Sequence, residues 1–388
     1  MIAAVLLGAI ALQEAPTAPA VPPPVATVTV DRAAARLARI EREKAALATE
    51  LVAIEKHGRV PEFRAALEEL EKKYSEIEIG KERWAPFGER GFIPMLSVDR
   101  ALEWGRPARG REPELAVDFA VEGHPGPVIV DLVRQLEGQG VEFLLVLFPS
   151  RIQLEPELVL PDDPKSAEAA PFHGMVGPTN RFLAELAAQG VEIVDLAPPF
   201  VAARDVELPD GCARGLYLSR NQHWTPRAAE LAAKVVADRI REMPCFTPGP
   251  VTEGNQFTLF PHAIDFGSTA GGQAPDSTPE HLWMNAVRPK GKPISPAAKR
   301  DSPIVVFGDS FADFYDPQSA SFADQLTRFT GHPIDLIAPK GGAESQCRDA
   351  FARRHKPLRG KQVVIWLMQV GNLRPLPAYH AIDVVGGS

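Results

Sequence analysis

The spacing of apolar residues divides the chain into two parts near residue 90. In the first part they recur every three or four positions, which is the period of an amphipathic helix. Asp31 is a suitable N-cap for the first of two such faces, and HGRVP at 57–61 separates the two. The first face consists of Leu37, Ile40, Leu47, Leu51 and Ile54, and the second of Phe63, Leu67, Leu70, Tyr74 and Ile77. This pattern predicts a helical hairpin or short coiled coil over residues 31–78. It would act in homo-oligomerisation, as a spacer from a membrane, or as a cap packed on the remaining chain.

The second part alternates short apolar runs with helical segments. The runs are typical of buried parallel strands and cover residues 141–148, 191–198, 303–309, 333–339 and 362–368. This alternation predicts an α/β fold, namely a three-layer, flavodoxin-like parallel sheet with helices on both faces. One helix opens at Thr225 and Pro226, which suit the N-cap and the first helical position. Residues 246–300 are rich in proline, glycine and polar residues, which predicts a surface excursion near a site.

The N-terminus has the composition of a targeting segment. Residues 2–12 are apolar but too few to span a bilayer, which takes roughly 20 residues. A-x-A motifs at residues 9–11 and 18–20 suit signal-peptide cleavage. Because no Lys or Arg follows Met1, an uncleaved anchor is the alternative. We therefore expect an exported protein, periplasmic or associated with the cell envelope. Its expected parts are a signal peptide or anchor with a linker, a helical hairpin and an α/β domain: residues 1–26, 27–80 and 85–388.

Composition narrows the classes of partner and cofactor. The net charge is −8 and the sequence pI is about 5.7, so the chain lacks the basic surplus of a nucleic-acid-binding protein. The three cysteines, Cys212, Cys245 and Cys347, form no CxxC or Cys/His cluster, and we expect neither a metal site nor a cofactor. A Cys212–Cys245 disulfide and three unpaired thiols are both compatible with the sequence.

One predicted strand ends in chemically suggestive residues, in IVVFGDSFADFY at 304–315. Ser310 falls beyond the carboxyl end of that strand, where sites on parallel sheets lie. A serine hydroxyl becomes a nucleophile when a base accepts its proton and a third group orients that base. Of the nine histidines, His223 stands just before a predicted helix, on a polar turn in YLSRNQHWTPRAAELAA. Asp309 is expected to stabilise the GDS turn by accepting backbone N–H groups.

Two of these segments together resemble a known family. NQHWTPRAAELAA (221–233) and GDSF (308–311) are similar to the D-x-H-W-T and G-D-S-F motifs of the SGNH hydrolase-like polysaccharide O-acetyltransferases, the AlgJ/AlgX alginate acetyltransferase type. The histidine precedes the serine, as in this branch, whereas ordinary SGNH esterases carry the serine first. Segments 144–159 and 363–369 agree more weakly. The resemblance covers about residues 85–380.

The resemblance implies an SGNH-like fold and O-acetyl transfer to an exported polysaccharide. Ser310 would be the nucleophile that carries the acetyl group, and His223 the base. With water as acceptor, the same site would be a carbohydrate acetyl esterase. The implied partners are the polysaccharide, an acetyl donor and, in addition, a membrane-bound protein that exports acetyl groups. Four oxyanion donors are expected: the backbone N–H of Ser310, Gly341 and Gly342, and the side chain of Asn372. Plain turns explain the last three as well.

The chain departs from the family at one position, since Asn221 stands where the family has aspartate. Asparagine can accept a hydrogen bond from imidazole but supplies no negative charge. Three interpretations follow. Another carboxylate, such as Asp195 or Asp210, takes over; or Asn221 itself orients a Ser-His pair; or the site is inactive, and the protein binds polysaccharide or assembles partners.

Overall fold

The computed structural model describes the chain from Asp31 onward, with gaps. The described residues are 31–57, 60–74, 78–79, 82–86, 92–94, 122–155, 177–204, 206–209, 212–213, 215–219, 221–249, 257–266, 279–289, 299–373 and 376–385. The expected targeting segment, residues 1–26, and Asp210 lie outside this set, so both expectations stay predictions. None of the described helices combines the length and the apolar character that a bilayer crossing requires. Residues from Arg32 onward form one compact unit.

Helices account for much of this unit. They are α1 Arg32–His57, α2 Val60–Tyr74, α3 Pro125–Glu137, α4 Arg151–Leu154, α5 Gly177–Ala188, α6 Ala197–Ala203, α7 Pro226–Arg241, α8 Ser310–Asp313, α9 Phe322–Thr330 and α10 Gln346–Ala352, with 3-10 turns at Asp316–Gln318 and Val370–Asn372. The strands are β1 Glu78–Ile79, β2 Glu82–Pro86, β3 Phe92–Pro94, β4 Glu142–Phe148, β5 Ile193–Asp195, β6 Phe257–Phe266, β7 Glu280–Pro289, β8 Ile304–Phe307, β9 Asp335–Ile337 and β10 Val363–Gln369.

The central sheet is parallel and has five strands in the order β5-β4-β10-β8-β9. The last strand in the chain, β10, lies in the middle, with Trp366 between Leu145 of β4 and Phe307 of β8. All residues of β4, β8 and β10 are buried, as expected of strands covered on both faces. Helices α7 and α9 pack on one face, and α3, α5 and α10 on the other. The predicted three-layer α/β fold is confirmed.

Helix α7 begins as its sequence predicts. The Thr225 side chain accepts the N–H of Ala228, and Pro226 occupies the first position, where a missing N–H costs nothing. The buried face of the helix consists mainly of alanine, so its backbone can approach its neighbours closely. Because the N-terminus of α7 is fixed in this way, the loop that leads into it is fixed too, and that loop carries His223.

The segment 246–300 is more regular than its composition suggested. Strands β6 and β7 form an antiparallel hairpin in register from Phe257 opposite Pro289 to Phe266 opposite Glu280. The missed signal is the alternation in β7, where Leu282, Met284 and Ala286 are buried and face the core, while the residues between them are partly exposed. In strand β6 the alternation is weaker: His262, Ile264 and Phe266 are partly buried and the residues between them are exposed, but no side chain from Thr258 to Phe266 is fully buried.

Helix α1 is docked on the α/β unit through buried charges. Arg39, 3% exposed, donates to the two carboxylate oxygens of Glu192 at 2.8 and 3.1 Å and lies 3.4 Å from Glu142. Arg239 of α7 adds contacts to Glu192 at 3.3 Å and to Glu43 of α1 at 2.8 Å. Buried ions persist only when such partners compensate for lost hydration. Of the interpretations open for this segment, the structure supports a cap for α1.

The cysteines are unpaired. Cys212, Cys245 and Cys347 are all free thiols, which confirms the alternative without a disulfide. Burial raises the pKa of Cys347 to about 12, so this thiol stays protonated and behaves as part of the core.

The docking of α1 leads to a prediction about stability. Arg39→Ala should lower the free energy of unfolding by about 3 kcal/mol, because Glu192 and Glu142 stay buried without their main counter-ion. Urea denaturation measures this loss. The control is Arg42→Ala on the same helix, whose partner Glu242 and own side chain are about half exposed. It should cost at most about 1 kcal/mol, and equal losses in both variants would contradict the proposed importance of the buried pair.

Candidate active site

Ser310 lies directly beyond the carboxyl end of β8. The β8–β9 ladder extends to Gly308, whose N–H donates to the Ile337 carbonyl of β9 at 3.1 Å, and the chain then turns into helix α8. A side chain at Gly308 would come within 3.0 Å of the Ala312 Cβ, so the turn favours glycine. Asp309 caps the short helix α8 by accepting the Phe311 N–H at 2.9 Å. The structural role expected for Asp309 is confirmed, and Ser310 is the first residue of that helix.

His223 lies in a tight loop held at both ends by backbone contacts. Leu218 N–H donates to the His223 carbonyl at 3.0 Å, and Thr225 N–H donates to the Leu216 carbonyl at 2.9 Å. Arg151 of α4 holds the loop from outside by donating to the carbonyls of Leu218 and Ser219 at 3.3 and 3.2 Å. These bonds leave the His223 backbone little freedom, so the loop presents its imidazole in a defined place.

Three side chains form a continuous hydrogen-bonded line. His223 Nε2 lies 2.8 Å from Ser310 Oγ, and His223 Nδ1 lies 2.6 Å from Asn221 Oδ1. The same Oδ1 accepts the backbone N–H of His223 at 3.0 Å. A backbone N–H can only donate, so this bond identifies the amide atom facing the ring as oxygen. Nδ1 therefore carries the proton, and the lone pair of Nε2 faces the Ser310 hydroxyl.

The surroundings of His223 keep its ring uncharged. Burial lowers the pKa of His223 to about 3, because the charged form would lose its hydration. The Phe314 ring stacks on the imidazole at 3.8 Å between centroids, with 9° between the planes, and the Phe311 ring lies 4.7 Å away. The imidazole is thus a neutral proton acceptor over the whole physiological pH range.

Asp195 does not replace the missing family aspartate. Its Oδ1 accepts the N–H of Ala197 at 2.9 Å, at the end of β5. Burial and the nearby Glu50 raise the pKa of Asp195 to about 7. Nδ1 of His223 is already bonded to Asn221, and the lowered pKa of His223 has no contribution from a carboxylate. The interpretation that assigns orientation of the base to Asp195 is therefore wrong.

The expected oxyanion donors differ in availability. The Ser310 N–H has no acceptor among the described residues, since it begins helix α8. Gly341 is exposed, with φ of 65°. The Asn372 side chain is buried just beyond β10; its Oδ1, which can only accept, has no partner among the described residues, and a bond to an oxyanion would come from its Nδ2–H group. Gly342 N–H already donates to the Pro339 carbonyl at 3.0 Å, so the expectation for Gly342 is not supported.

Several residues around the site were not anticipated from the sequence. Arg151 holds the His223 loop, and Glu280 of β7 accepts the Ser219 N–H in that loop at 2.9 Å. Phe314 stacks on His223. A signal existed for Phe314 alone, since it stands four positions after Ser310 and therefore on the same face of a helix. The contacts of Arg151 and Glu280 depend on chain segments that are distant in sequence.

Comparison with known proteins extends these observations. Residues 126–370 match the family described as an SGNH hydrolase-like domain, acetyltransferase AlgX. The chain belongs to this AlgX family. It is 31% identical over 244 residues to the alginate biosynthesis protein AlgX of Pseudomonas putida, a match that covers 59% of this chain and 47% of the relative. With AlgX of Pseudomonas aeruginosa the identity is 26% over 245 residues, 59% of this chain and 46% of the relative.

A solved structure confirms the family's fold for this chain. The O-acetyltransferase domain of Pseudomonas putida AlgJ superimposes with a TM-score of 0.53 at 17% identity, covering 75% of this chain and 92% of that domain. At this level of identity the likeness concerns the fold, which is the SGNH-like fold expected from the sequence. The chain spans about half the length of the AlgX relatives that it matches.

The lowered pKa of His223 predicts a pH dependence of stability. In the unfolded chain the imidazole takes up a proton near pH 6.5, whereas in the folded protein it does so only near pH 3. Stability contributed by the neutral form is complete above pH 6.5 and is lost as the pH falls toward 3, at about 1.4 kcal/mol per pH unit. We expect His223→Gln to remove this slope in urea titrations. His355→Gln, at an exposed histidine, is the control, and an equal change of slope there would contradict the assignment to His223.

Proposed function

We propose that this protein transfers acetyl groups to hydroxyls of an exported polysaccharide through an acetyl-serine intermediate on Ser310. The observation that carries the proposal is the line from Ser310 Oγ through His223 to Asn221, with distances of 2.8 and 2.6 Å. Nucleophile, base and orienting group are the minimum set for acyl transfer by serine. Membership of the AlgX family and the word alginate in the relatives' names support a polysaccharide acceptor.

In the first half-reaction, Ser310 Oγ forms a bond to the acetyl carbonyl carbon while its proton moves to His223 Nε2. The carbonyl electron pair moves onto oxygen and gives a tetrahedral oxyanion. When the pair returns, the bond to the leaving group breaks, and the leaving group takes the proton from Nε2. Ser310 then carries the acetyl ester, and His223 is neutral again.

In the second half-reaction, a sugar hydroxyl replaces the leaving group. It passes its proton to Nε2 and attacks the acetyl-serine carbonyl, and the second oxyanion forms. Collapse breaks the bond to Oγ, which recovers its proton from Nε2. Water in place of the sugar would give an esterase.

Oxyanion stabilisation is assigned to the donors that stay available. The Ser310 N–H lies beside the attacking oxygen and is not used within the described residues. We assign the second donor to the Asn372 side chain, which follows β10, or to the Gly341 N–H, which follows β9. These two strands flank β8 in the sheet. Each such donor contributes roughly 3–4 kcal/mol to transition-state stabilisation.

Asn221 serves as the orienting group without supplying charge. Its oxygen fixes the Nδ1–H tautomer, so Nε2 can accept the serine proton. It stabilises the transient imidazolium less than a carboxylate would. In a serine protease the aspartate-to-asparagine change costs about 10⁴ in rate because the imidazole takes the wrong tautomer, and Asn221 avoids that loss because its oxygen faces Nδ1. We therefore propose a slow but competent Ser-His-Asn site. The apolar N-terminus supports its placement outside the cytoplasm.

Hydrolysis of a chromogenic phenyl acetate tests the chemistry directly. The wild type should release phenol in a burst and become heavier by one acetyl group, as measured by intact-protein mass spectrometry. Ser310→Ala should abolish both signals, because the nucleophile is lost. Adding oligosaccharides and detecting acetylated sugar distinguishes a transferase from an esterase. Phenol release that is unchanged in Ser310→Ala, with no acetylated protein, would favour a non-catalytic binding or assembly protein.

The role of Asn221 makes a separate prediction. Asn221→Ala should lower kcat by about tenfold or more, because Nδ1 loses the acceptor that fixes the tautomer. Asn221→Asp should raise kcat by about 10- to 100-fold, because a carboxylate stabilises the imidazolium. Steady-state kinetics with the same ester measure both effects. An alanine variant as active as the wild type would show that another group orients the base.

A further inference from the structure

The ring that contacts His223 most closely comes from the segment that carries the nucleophile. Phe314 follows helix α8 directly, and its ring is nearly parallel to the imidazole, 3.8 Å from it between centroids. The spacing from Ser310 is four residues, one helical turn. A single short stretch therefore supplies both the hydroxyl that meets Nε2 and the surface against which the ring lies.

Phe314 is itself held from behind by the β6–β7 hairpin. The Phe266 ring, at the end of β6, lies 5.7 Å from the Phe314 ring, and Tyr315 lies 5.0 Å from it. The Tyr315 hydroxyl donates to the Trp224 carbonyl at 2.8 Å, next to His223 in the chain. These contacts connect the hairpin, helix α8 and the histidine loop at one point.

The imidazole needs such support because its hydrogen bonds act in the plane of the ring. Rotation about χ2 of histidine is broad and roughly two-fold, and a hydrogen bond to a neutral amide is about half as strong as one to a carboxylate. Asn221 therefore restrains the ring less than the family's aspartate would. A flat aromatic surface limits tilting out of the plane and keeps water from that face.

We propose that Phe314, braced by Phe266, is a positioning residue that holds the His223 ring in the plane shared by Ser310 and Asn221. This inference rests on the function proposed above but concerns a residue that neither the motifs nor the family match assigns. Its chemistry is a face-to-face aromatic contact, and Phe314 touches the base, not the acetyl group.

Charged groups near the site determine which measurement is decisive. Asp313 lies on α8 beside Phe314, and burial with nearby Asp316 raises its pKa to about 6. Glu280 of β7 accepts a bond from the histidine loop at Ser219. Either carboxylate would shape a pH–rate profile on its own. The titration of the His223 ring is therefore followed directly, by NMR of protein labelled at histidine.

The first comparison uses Phe314→Ala and Phe314→Tyr. The alanine variant should lose about 10- to 100-fold in kcat for the phenyl acetate, because the base is misplaced. KM should change less than about twofold, because Phe314 does not contact the ester. Its His223 pKa should rise toward 6.5 as water reaches the ring. The tyrosine variant keeps the ring and should keep both kcat and the titration of the wild type. Phe314 is partly exposed, so the added hydroxyl can reach solvent.

The second comparison tests the brace with two phenylalanines of the same strand. Phe266→Ala should lower kcat and raise the His223 pKa, each by less than Phe314→Ala does. Phe260→Ala is the matched control, since Phe260 is 43% exposed and contacts Arg288 instead of Phe314. It should leave both readouts unchanged. If Phe314→Ala fails to fold, as judged by thermal melting, Phe266→Ala decides alone.

The inference fails if kcat and the His223 titration stay at wild-type values in the alanine variants. It also fails if Phe314→Tyr loses as much as Phe314→Ala, because a flat ring would then not suffice. A wild type without Ser310-dependent turnover would refute the proposed function instead. The NMR titration still tests the contact in that case, and an unchanged His223 pKa in Phe314→Ala would refute it separately.

Discussion

The site depends on one oxygen atom that accepts two N–H groups of the same residue. Asn221 Oδ1 bonds the backbone N–H and the Nδ1–H of His223, so the loop conformation and the ring tautomer are set together. Neither bond requires charge. Burial of the ring then keeps it neutral, and the lone pair of Nε2 stays directed at Ser310. The geometry of a catalytic triad is thus preserved, while the electrostatic contribution of its acid is given up.

The absence of charge on Asn221 explains why asparagine suits a buried position. An aspartate at this position would be almost fully buried, as Asn221 is at 1% exposure, and would pay the desolvation cost of a carboxylate beside a neutral ring. Asparagine avoids that cost in the resting state. In the proposed mechanism, asparagine also stabilises the ring less than a carboxylate would when the ring becomes charged. Stability of the resting site and rate of the chemical step are therefore opposed at Asn221.

Much of this arrangement could be predicted from sequence, because the relevant signals are local. Continuous apolar runs located the five parallel strands, Thr225 and Pro226 located the start of α7, and two short motifs located Ser310 and His223. Contacts over long separations could not be predicted. Arg39 meets Glu192 across 153 positions, and Phe266 of the β6–β7 hairpin meets Phe314, which follows β8. Nor did composition distinguish Gly341 from Gly342, which differ in whether the turn already uses their N–H.

The position of β10 has a consequence for the order of folding. The middle strand of the sheet is the last to leave the ribosome, and until it inserts, β4–β5 and β8–β9 are two unconnected pairs. Neither pair covers the long apolar faces that β10 later fills, so a partly made chain exposes them to aggregation. Ser310 and His223 belong to opposite sides of that late junction. The complete sheet that supports the proposed Ser310–His223 pair is therefore assembled only after β10 has been made.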